Sequence, residues 1–401
     1  MSKSSVPIRV VVIGAGAMGR ITVTDLVHTA PPNFEIVVAD FDQAAARSLA
    51  QSFKRRKVGH AFVNATDVPG ITKLLKGAFA VVTAVQHQFN LFVMQGALQA
   101  GTHYCDLGGL FHYTRKQLKL SAQFKKAKLT AILGMGAAPG IVNVLARSAA
   151  DSMQAVHEIH IKVGNIDRTQ HRPTSALGTS YSIQTILEEA TTPAALFTKG
   201  QFTFVEAMSG SEAVHFPKPV GLRRPHYTIH SEVATLPLSY QKKGIRECSF
   251  RIAFADDLED KLRFLRALGM TSEDALTVGR GRSAASVIPR QVLMALLAKQ
   301  PKVTFDGVPD EVEVLRAVVR GVRDGVAVEE TVDCHTLGMP SWKMGVDVDT
   351  GCPPSIVVQM LARGEITLRG AVPPEQAVPA QPFFRELAKR RMTVKRSVRK
   401  L

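Results

Sequence analysis

Residues 8–20 have the sequence IRVVVIGAGAMGR, in which an apolar, largely β-branched run leads directly into a turn with three glycines. A run of this kind is typical of a strand that is buried on both faces of a sheet. Gly14, Gly16 and Gly19 have the spacing G-x-G-x-x-G, which allows a tight turn, close approach of the backbone to a pyrophosphate, and packing of a helix against the strand. The stretch therefore predicts a Rossmann unit that binds a dinucleotide.

The residues beyond the glycine turn refine this prediction. Ala17 and Met18 would open the helix, whose N-terminal N–H groups would face the phosphates. Asp40 lies at the end of the next predicted strand (35–39), about 20 residues on, where an acid accepts hydrogen bonds from a ribose and repels a 2′-phosphate. We therefore predict NAD as the cofactor. NADP stays possible because the basic run at 54–57 could reach a 2′-phosphate.

The composition is that of a globular enzyme. Apolar residues make up 45% of the 401 residues and charged residues 21%, which argues against a disordered chain. The four cysteines form no closely spaced ligand pattern, so we expect neither a metal site nor disulfides, as in a reducing compartment. No window approaches the ~18 apolar residues that cross a bilayer, and no signal peptide is evident. We expect a soluble, cytoplasmic protein without a membrane partner.

The formal net charge of +16 raises the question of a nucleic-acid partner. The basic residues are scattered, and the aromatic residues, 6% of the chain, do not interleave with them as a stacking platform would require. We therefore expect no nucleic acid, and interpret the charge as a field that attracts an anionic cofactor and substrate.

The order of predicted elements indicates two domains. Up to residue 140, short apolar strands alternate with helices, which is typical of a doubly wound parallel sheet with helices on both faces. Beyond it, strand patterns at 157–163, 313–322 and 326–335 predict a mixed or antiparallel sheet, and a basic helix at 382–391 ends the chain. The predicted domains are an α/β Rossmann domain (1–140 and 345–401), to which the C-terminal helices return, and an α+β substrate and dimerisation domain (141–344).

Polar residues follow two of the strands predicted in the first domain. Ligands of open α/β sheets bind outside the carboxyl ends of the strands. Gln86 and Gln88, after the strand at 79–84, are therefore candidate contacts to the ribose or nicotinamide. Asp106 and Gly108, at the end of the strand at 102–106, are further candidates. The Asp106 carboxylate could orient the nicotinamide or assist proton transfer, or it could cap the glycine turn that follows.

Three longer segments resemble the saccharopine dehydrogenase-like family: CDLGG (105–109), GAAPGIVNVLA (136–146) and ARGEITLRGAVPPEQAVP (362–379). Within that family, the resemblance is nearest to the lysine 6-dehydrogenases. It implies a Rossmann domain with an inserted α+β domain, and a homodimer or higher oligomer. It also implies hydride transfer between NAD(P) and the carbon–nitrogen bond of an amino acid or imine, either as oxidative deamination of the lysine 6-dehydrogenase type or as saccharopine-type imine reduction.

This chemistry needs a proton acceptor and groups that bind an amino acid. His230 is the candidate base, because histidine titrates near neutral pH and Glu232, on the same face of one predicted strand, could orient it and contact substrate. Tyr181 could donate a hydrogen bond to the reacting nitrogen, and Arg172 and Arg224 could bind a carboxylate. Two other functions stay open: an inactive NAD(H)-binding redox sensor, and a Rossmann reductase of an aldehyde or acid.

Overall fold

Two sheets organise the computed structural model, which describes residues 6–172, 176–177, 182–281, 284–300 and 304–401. The first sheet has seven strands among these residues, in the order β20-β6-β5-β4-β1-β2-β3, and all neighbours are parallel. Its strands are β1 (Ile8–Ile13), β2 (Phe34–Asp40), β3 (Val58–Phe62), β4 (Ala80–Thr83), β5 (His103–Asp106), β6 (Thr130–Ile132) and β20 (Gly370–Val372). The strand order reverses between β1 and β4, as in doubly wound folds.

Apolar side chains on both faces of this sheet explain why helices cover both sides. Val10 and Val12 of β1 belong to one buried cluster, whereas Val11 and Ile13 belong to another, because successive side chains of a strand point to opposite faces. The helices of this part are α1 (Ala17–Thr29), α2 (Gln43–Gln51), α3 (Val68–Leu75), α4 (Asn90–Ala100), α5 (Leu110–Leu118), α6 (Ser121–Lys126) and α12 (Val348–Ala362). The predicted α/β class is confirmed.

The second sheet is mixed, as predicted. Among the described residues its strands follow the order β10-β9-β14-β7-β18-β19-β21, and β13 also pairs with β14; only the β14–β7 pair is parallel. Asp324 and Gly325, both with positive φ, form the hairpin turn between β18 and β19. The strands are β7 (Ala155–Asp167), β9 (Ala194–Thr198), β10 (Gln201–Val205), β13 (His226–Tyr227), β14 (Glu247–Ile252), β18 (Glu311–Arg323), β19 (Val326–Thr336) and β21 (Met392–Lys400).

Helices and short strand pairs complete the second part. The helices are α7 (Ile141–Ala150), α8 (Ile183–Thr191), α9 (Glu232–Tyr240), α10 (Asp256–Ala267), α11 (Pro289–Ala298), α13 (Pro374–Ala377) and α14 (Ala380–Ala388). The short strands are β8 (His171–Arg172), β11 (Val214–His215), β12 (Leu222–Arg223), β15 (Leu276–Val278), β16 (Ala285–Val287) and β17 (Thr304–Phe305). Within the described ranges, every helix is too short or too polar to cross a membrane.

Two sequence predictions about elements are wrong. The strand predicted to hold both His230 and Glu232 ends at Tyr227, and Glu232 instead opens α9, where buried apolar residues recur with helical spacing. The basic C-terminal helix forms over Ala380–Ala388, but it does not end the chain, because the last residues form β21. β21 is an edge strand whose arginines pair with acids of β19, and no strand was predicted for these residues.

Candidate active site

Packing of the chain requires two of the three glycines in the turn between β1 and α1, but not the third. Gly14 has φ +113°, and a Cβ there would collide with the carbonyl of Ala84. A Cβ on Gly19 would collide with the Gly14 carbonyl oxygen. A Cβ on Gly16, by contrast, would meet no protein atom within 4 Å. Packing therefore explains Gly14 and Gly19, whereas Gly16 fits the close approach of a pyrophosphate.

The start of α1 and Asp40 complete this cradle. Gly16 caps α1 without a side-chain hydrogen bond, so the N–H groups of Ala17 and Met18 face outward at the positive end of the helix dipole. Asp40, at the carboxyl end of β2, accepts a hydrogen bond from Ala15 N through Oδ2 (2.6 Å), which places its carboxylate beside the turn. These residues fit the pyrophosphate and ribose of NAD(P).

Two exposed aromatic rings lie beyond Asp40. Phe41 follows β2 and is 72% exposed, and Phe62 ends the neighbouring strand β3 and is 55% exposed. Their ring centroids are 5.9 Å apart. Exposed rings at the carboxyl ends of two adjacent strands offer an apolar surface that could hold an adenine, a candidate that the sequence analysis did not include.

Within the basic run at 54–57, Arg56 binds backbone carbonyl groups. Arg56 donates to the carbonyl oxygens of Ala30 (2.8 Å), Pro31 (2.6 Å) and Phe34 (2.6 Å), just beyond the C-terminus of α1. This end of the helix is opposite the glycine turn, so Arg56 stabilises a helix end and is not placed to bind a 2′-phosphate.

The turn after β4 lies directly against the glycine turn and brings a histidine to the domain boundary. Gln86 and Gln88, predicted here, are half-buried, and the amide of Gln88 donates to Gln86 Oε1 (3.3 Å). Between them, His87 places Nε2 3.6 Å from Glu188 Oε2 of α8, which belongs to the second part of the chain. Burial lowers the pKa of His87 and raises that of Glu188. The sequence analysis missed His87, although its position at a strand end was a signal.

Asp106 is fully enclosed by hydrogen-bond donors. Its Oδ1 accepts from the backbone N–H groups of Gly108 (3.0 Å) and Gly134 (2.6 Å), and its Oδ2 accepts from Tyr104 OH (2.8 Å) and Gln117 Nε2 (2.5 Å). Burial raises its pKa. Of the two roles considered for Asp106, these four bonds favour capping of the glycine turn over proton transfer, because neither oxygen faces an open site.

Gly108 lies where the two parts of the chain meet. It has φ +141°, and a Cβ on it would lie 3.0 Å from the ring of Pro139 and 3.9 Å from Ser231 Oγ. Ser231, just before α9, also accepts a hydrogen bond from Thr114 Oγ1 (3.1 Å). The start of α9 is therefore held against the carboxyl edge of the first sheet, next to the predicted cofactor residue Gly108.

His230 is brought together with Glu232, as predicted, but in a different arrangement. Its Nδ1 lies 3.1 Å from Glu232 Oε2 and its Nε2 lies 3.2 Å from Glu189 Oε1 of α8, while Phe250 stacks on the ring. Burial alone would lower the pKa of His230, but the two carboxylates outweigh it and raise the pKa to about 10. A ring with both nitrogens engaged and its proton retained at neutral pH is not suited to the predicted role of base.

The remaining predicted residues are placed as follows. Glu232 is fully buried, and its second carboxylate oxygen has no hydrogen-bond partner among the described residues. Arg224 is exposed, between β12 and β13. Arg172 lies in β8, which pairs with β17, and Tyr181 lies outside the described residues.

One group of side chains has the spacing of metal ligands. Asp167, His171 and Glu311 each place a donor atom within 4.8 Å of the others. His171 and Asp167 already contact each other (2.5 Å), and Glu311 accepts from Val346 N (2.9 Å). The absence of a metal, expected from the sequence, stays a prediction.

The fold and the glycine turn define the class. This is a two-domain NAD(P)-binding protein, in which the carboxyl edge of a Rossmann sheet faces side chains of a second, mixed sheet and its helices.

Comparisons with known proteins identify the family. Residues 10–132 match the saccharopine dehydrogenase NADP-binding domain, and residues 136–392 match the saccharopine dehydrogenase C-terminal domain. The chain belongs to the saccharopine dehydrogenase family.

Individual relatives align over nearly the whole chain. A carboxyaminopropylagmatine dehydrogenase from Synechocystis is 23% identical over 94% of this chain and 95% of its own. A carboxynorspermidine synthase from Vibrio cholerae is 24% identical over 93% of this chain and 92% of its own. Among solved structures, saccharopine dehydrogenase (L-Glu forming) from Saccharomyces cerevisiae superposes with a TM-score of 0.71 at 16% identity, covering 98% of this chain and 100% of the other. That similarity shows the shared fold.

Proposed function

We propose that this protein is an NAD(P)-dependent oxidoreductase that acts on the carbon–nitrogen bond of an amine or amino-acid substrate. The observation that carries the proposal is His87, a histidine whose pKa is lowered by burial and which lies beside Glu188 at the carboxyl end of β4. In doubly wound folds, this edge holds the reactive end of the ligand. Family membership supports the same chemistry.

In the oxidative direction, a substrate amine loses a proton from nitrogen and a hydride from the adjacent carbon, which leaves an imine that water can hydrolyse. NAD(P), which the glycine turn and Asp40 would hold, would supply the hydride acceptor in this direction and the hydride donor in the reverse one. His87 accepts the nitrogen proton, because its lowered pKa keeps the imidazole neutral at neutral pH. Glu188 is a positioning residue that holds the ring and stabilises the imidazolium once the proton arrives.

His230 has a structural part in this scheme. With Glu189 and Glu232 it forms a buried ion triad that ties α8 to α9. Because Glu189 is adjacent to Glu188 in α8, the triad fixes the helix that presents Glu188 to His87.

The relatives favour one particular reaction. Two of the curated relatives are named for carboxylated amines, which favours saccharopine-type formation or cleavage of a secondary amine over oxidative deamination of lysine. We retain lysine as one substrate to test. NAD is the preferred cofactor in our proposal, because the Asp40 carboxylate lies beside the glycine turn, where an acid would accept hydrogen bonds from a ribose and repel a 2′-phosphate. The predicted homodimer and cytoplasmic location remain predictions.

The test is a panel assay that follows the absorbance of the reduced nicotinamide. Lysine, diamines and polyamines are each supplied alone with NAD(P)⁺, and each with a keto acid or a carboxylated aldehyde and NAD(P)H. We expect turnover with at least one amine. His87→Gln should lower kcat about 100-fold or more without changing the affinity for NAD(P)H, whereas His157→Gln, an exposed histidine of β7, should not change kcat.

The pH profile separates a proton-transfer role from a structural one. In the oxidative direction the wild-type rate should fall on the acid side with an apparent pKa below 6.5, and this limb should vanish in the residual activity of His87→Gln. Wild-type kcat in that variant would contradict the assignment of His87. Tight NAD(P)H binding without turnover of any amine would favour the redox-sensor function instead.

A further inference from the structure

A surface pocket of about 320 Å³ lies between α1, the loop after α2 and the turn at 339–344. Val27 and His28 line this pocket from the last two turns of α1, the end of that helix opposite the glycine turn. Phe53 lines it from the loop after α2, and Trp342 lines it from the turn at 339–344. A pocket of this volume is large enough to hold a small molecule.

This pocket is distinct from the place predicted for the cofactor. Asp40 lies before α2, whereas Lys54 and Arg55 lie after it, and a helix of nine residues spans about 14 Å. The 2′-phosphate of an NADP would lie beside Asp40, at the carboxyl end of β2. Lys54 and Arg55 are therefore placed to bind a different ligand.

Cationic side chains line the pocket without an acid to balance them. Arg20 of α1 lines it together with Lys54 and Arg55, and the residues that line it in the described part of the chain include no aspartate or glutamate. The three cationic side chains are exposed, and none of them has a hydrogen bond or an ion pair within the described ranges. A concave site with one sign of charge attracts ions of the other sign. The charges therefore favour an anionic ligand, and a phosphate dianion matches several cations at once.

Hydrogen bonds hold two parts of the pocket in place. Arg56 binds the carbonyl groups beyond α1, so the backbone that carries Lys54 and Arg55 is fixed next to that helix. His28 donates from Nδ1 to the carbonyl oxygen of Thr24 (2.8 Å), which leaves its Nε2 for a ligand. A ligand would therefore bind to groups whose positions are already set, which lowers the entropy lost on binding.

Aromatic rings form another wall of the pocket. Trp342, the one tryptophan of the sequence, is half-buried, and its ring centroid lies 5.3 Å from that of His28. Backbone hydrogen bonds in both directions between Met339 and Met344 close the turn that carries Trp342. Phe53 adds a further ring. Aromatic rings next to cations favour a ligand that has a flat ring as well as a negative charge.

We propose that this pocket binds a small molecule that carries both a phosphate group and an aromatic ring, as a nucleoside monophosphate does. Arg20, Lys54 and Arg55 bind the phosphate, and Trp342 and His28 contact the ring. The pocket shares no residue with the glycine turn or with the pair of His87 and Glu188, so its ligand binds whichever reaction the protein catalyses.

Trp342 reports binding directly, because no other tryptophan contributes to the fluorescence. The protein is saturated with NAD⁺, which fills the cofactor site, and is titrated with AMP, adenosine, inorganic phosphate and a short single-stranded RNA. Calorimetry repeats each titration. We expect AMP to change the fluorescence of Trp342 and to bind about tenfold or more tightly than adenosine or phosphate. Lys54→Gln and Arg55→Gln should each weaken the binding of AMP about fivefold or more.

A matched variant controls for the loss of charge. Lys125→Gln changes an exposed residue of α6, which covers the opposite face of the first sheet, and should leave the affinity for AMP unchanged. Absence of AMP binding to the NAD⁺-saturated protein, or wild-type affinity in both Lys54→Gln and Arg55→Gln, overturns the site. Equal affinities for AMP and inorganic phosphate, or tighter binding of the RNA than of AMP, overturn the proposed class of ligand.

Discussion

Substitution of Gly16 and of Gly19 by alanine should affect different properties: the first should weaken cofactor binding, and the second should lower the stability of the fold. Gly16 has φ −72°, which suits alanine, and the added methyl group meets no protein atom within 4 Å. We therefore expect Gly16→Ala to cost at most about 1 kcal/mol of folding free energy. On Gly19, the added methyl group would collide with the Gly14 carbonyl oxygen, and such overpacking lowers the free energy of unfolding by about 1–3 kcal/mol.

Two assays on the same proteins measure these effects. Thermal unfolding without cofactor should give a clearly lower Tm for Gly19→Ala, and a Tm for Gly16→Ala within about 4 °C of wild type. Titration with NAD(P)H should give a Kd at least about tenfold higher for Gly16→Ala, equivalent to about 1.4 kcal/mol. A wild-type Kd for Gly16→Ala would refute the assignment of this turn to the pyrophosphate.

Three further changes test other parts of the account. Asp40→Asn keeps an acceptor for Ala15 but removes the charge, so the ratio of kcat/KM for NAD over NADP should fall about tenfold; an unchanged ratio would show that Asp40 does not select the cofactor. Phe41→Ala should raise the KM for NAD(P) several-fold, as expected for loss of an adenine contact, whereas Phe264→Ala, equally exposed on α10, should not; equal effects would contradict the adenine platform. The folded-state pKa of Glu313 is raised from 4.5 to about 7, so the contribution of its protonated carboxyl to stability is lost as pH rises through that range. Glu313→Gln should therefore raise the Tm relative to wild type more at about pH 8 than at about pH 5. A pH-independent difference would contradict the raised pKa.

The first sheet could be predicted from the sequence because its signals are local. The run at 8–13 is buried on both faces, and the three glycines and Asp40 have the spacing that is typical of a strand–turn–helix unit. Gly14, Gly16, Gly19 and Asp40 therefore lie around one turn, and their binding of a cofactor stays a prediction.

The acid and base groups could not be found in the same way, because their partners are distant in sequence. His230 is two residues from Glu232, and this proximity suggested the pair although the predicted strand was wrong. Glu189, 41 residues before His230, changes that histidine from a candidate base to a retained cation.

Isotope transfer tests the central claim most directly. The protein is incubated with NAD(P)H deuterated at the transferred position, an amine from the panel and a carboxylated carbonyl compound, and the products are analysed by mass spectrometry and NMR. The account predicts a secondary amine with a single deuterium on the carbon bonded to the new nitrogen, formed much more slowly by His87→Gln. Deuterium found only in an alcohol, or no labelled product although NAD(P)H is bound, would contradict it.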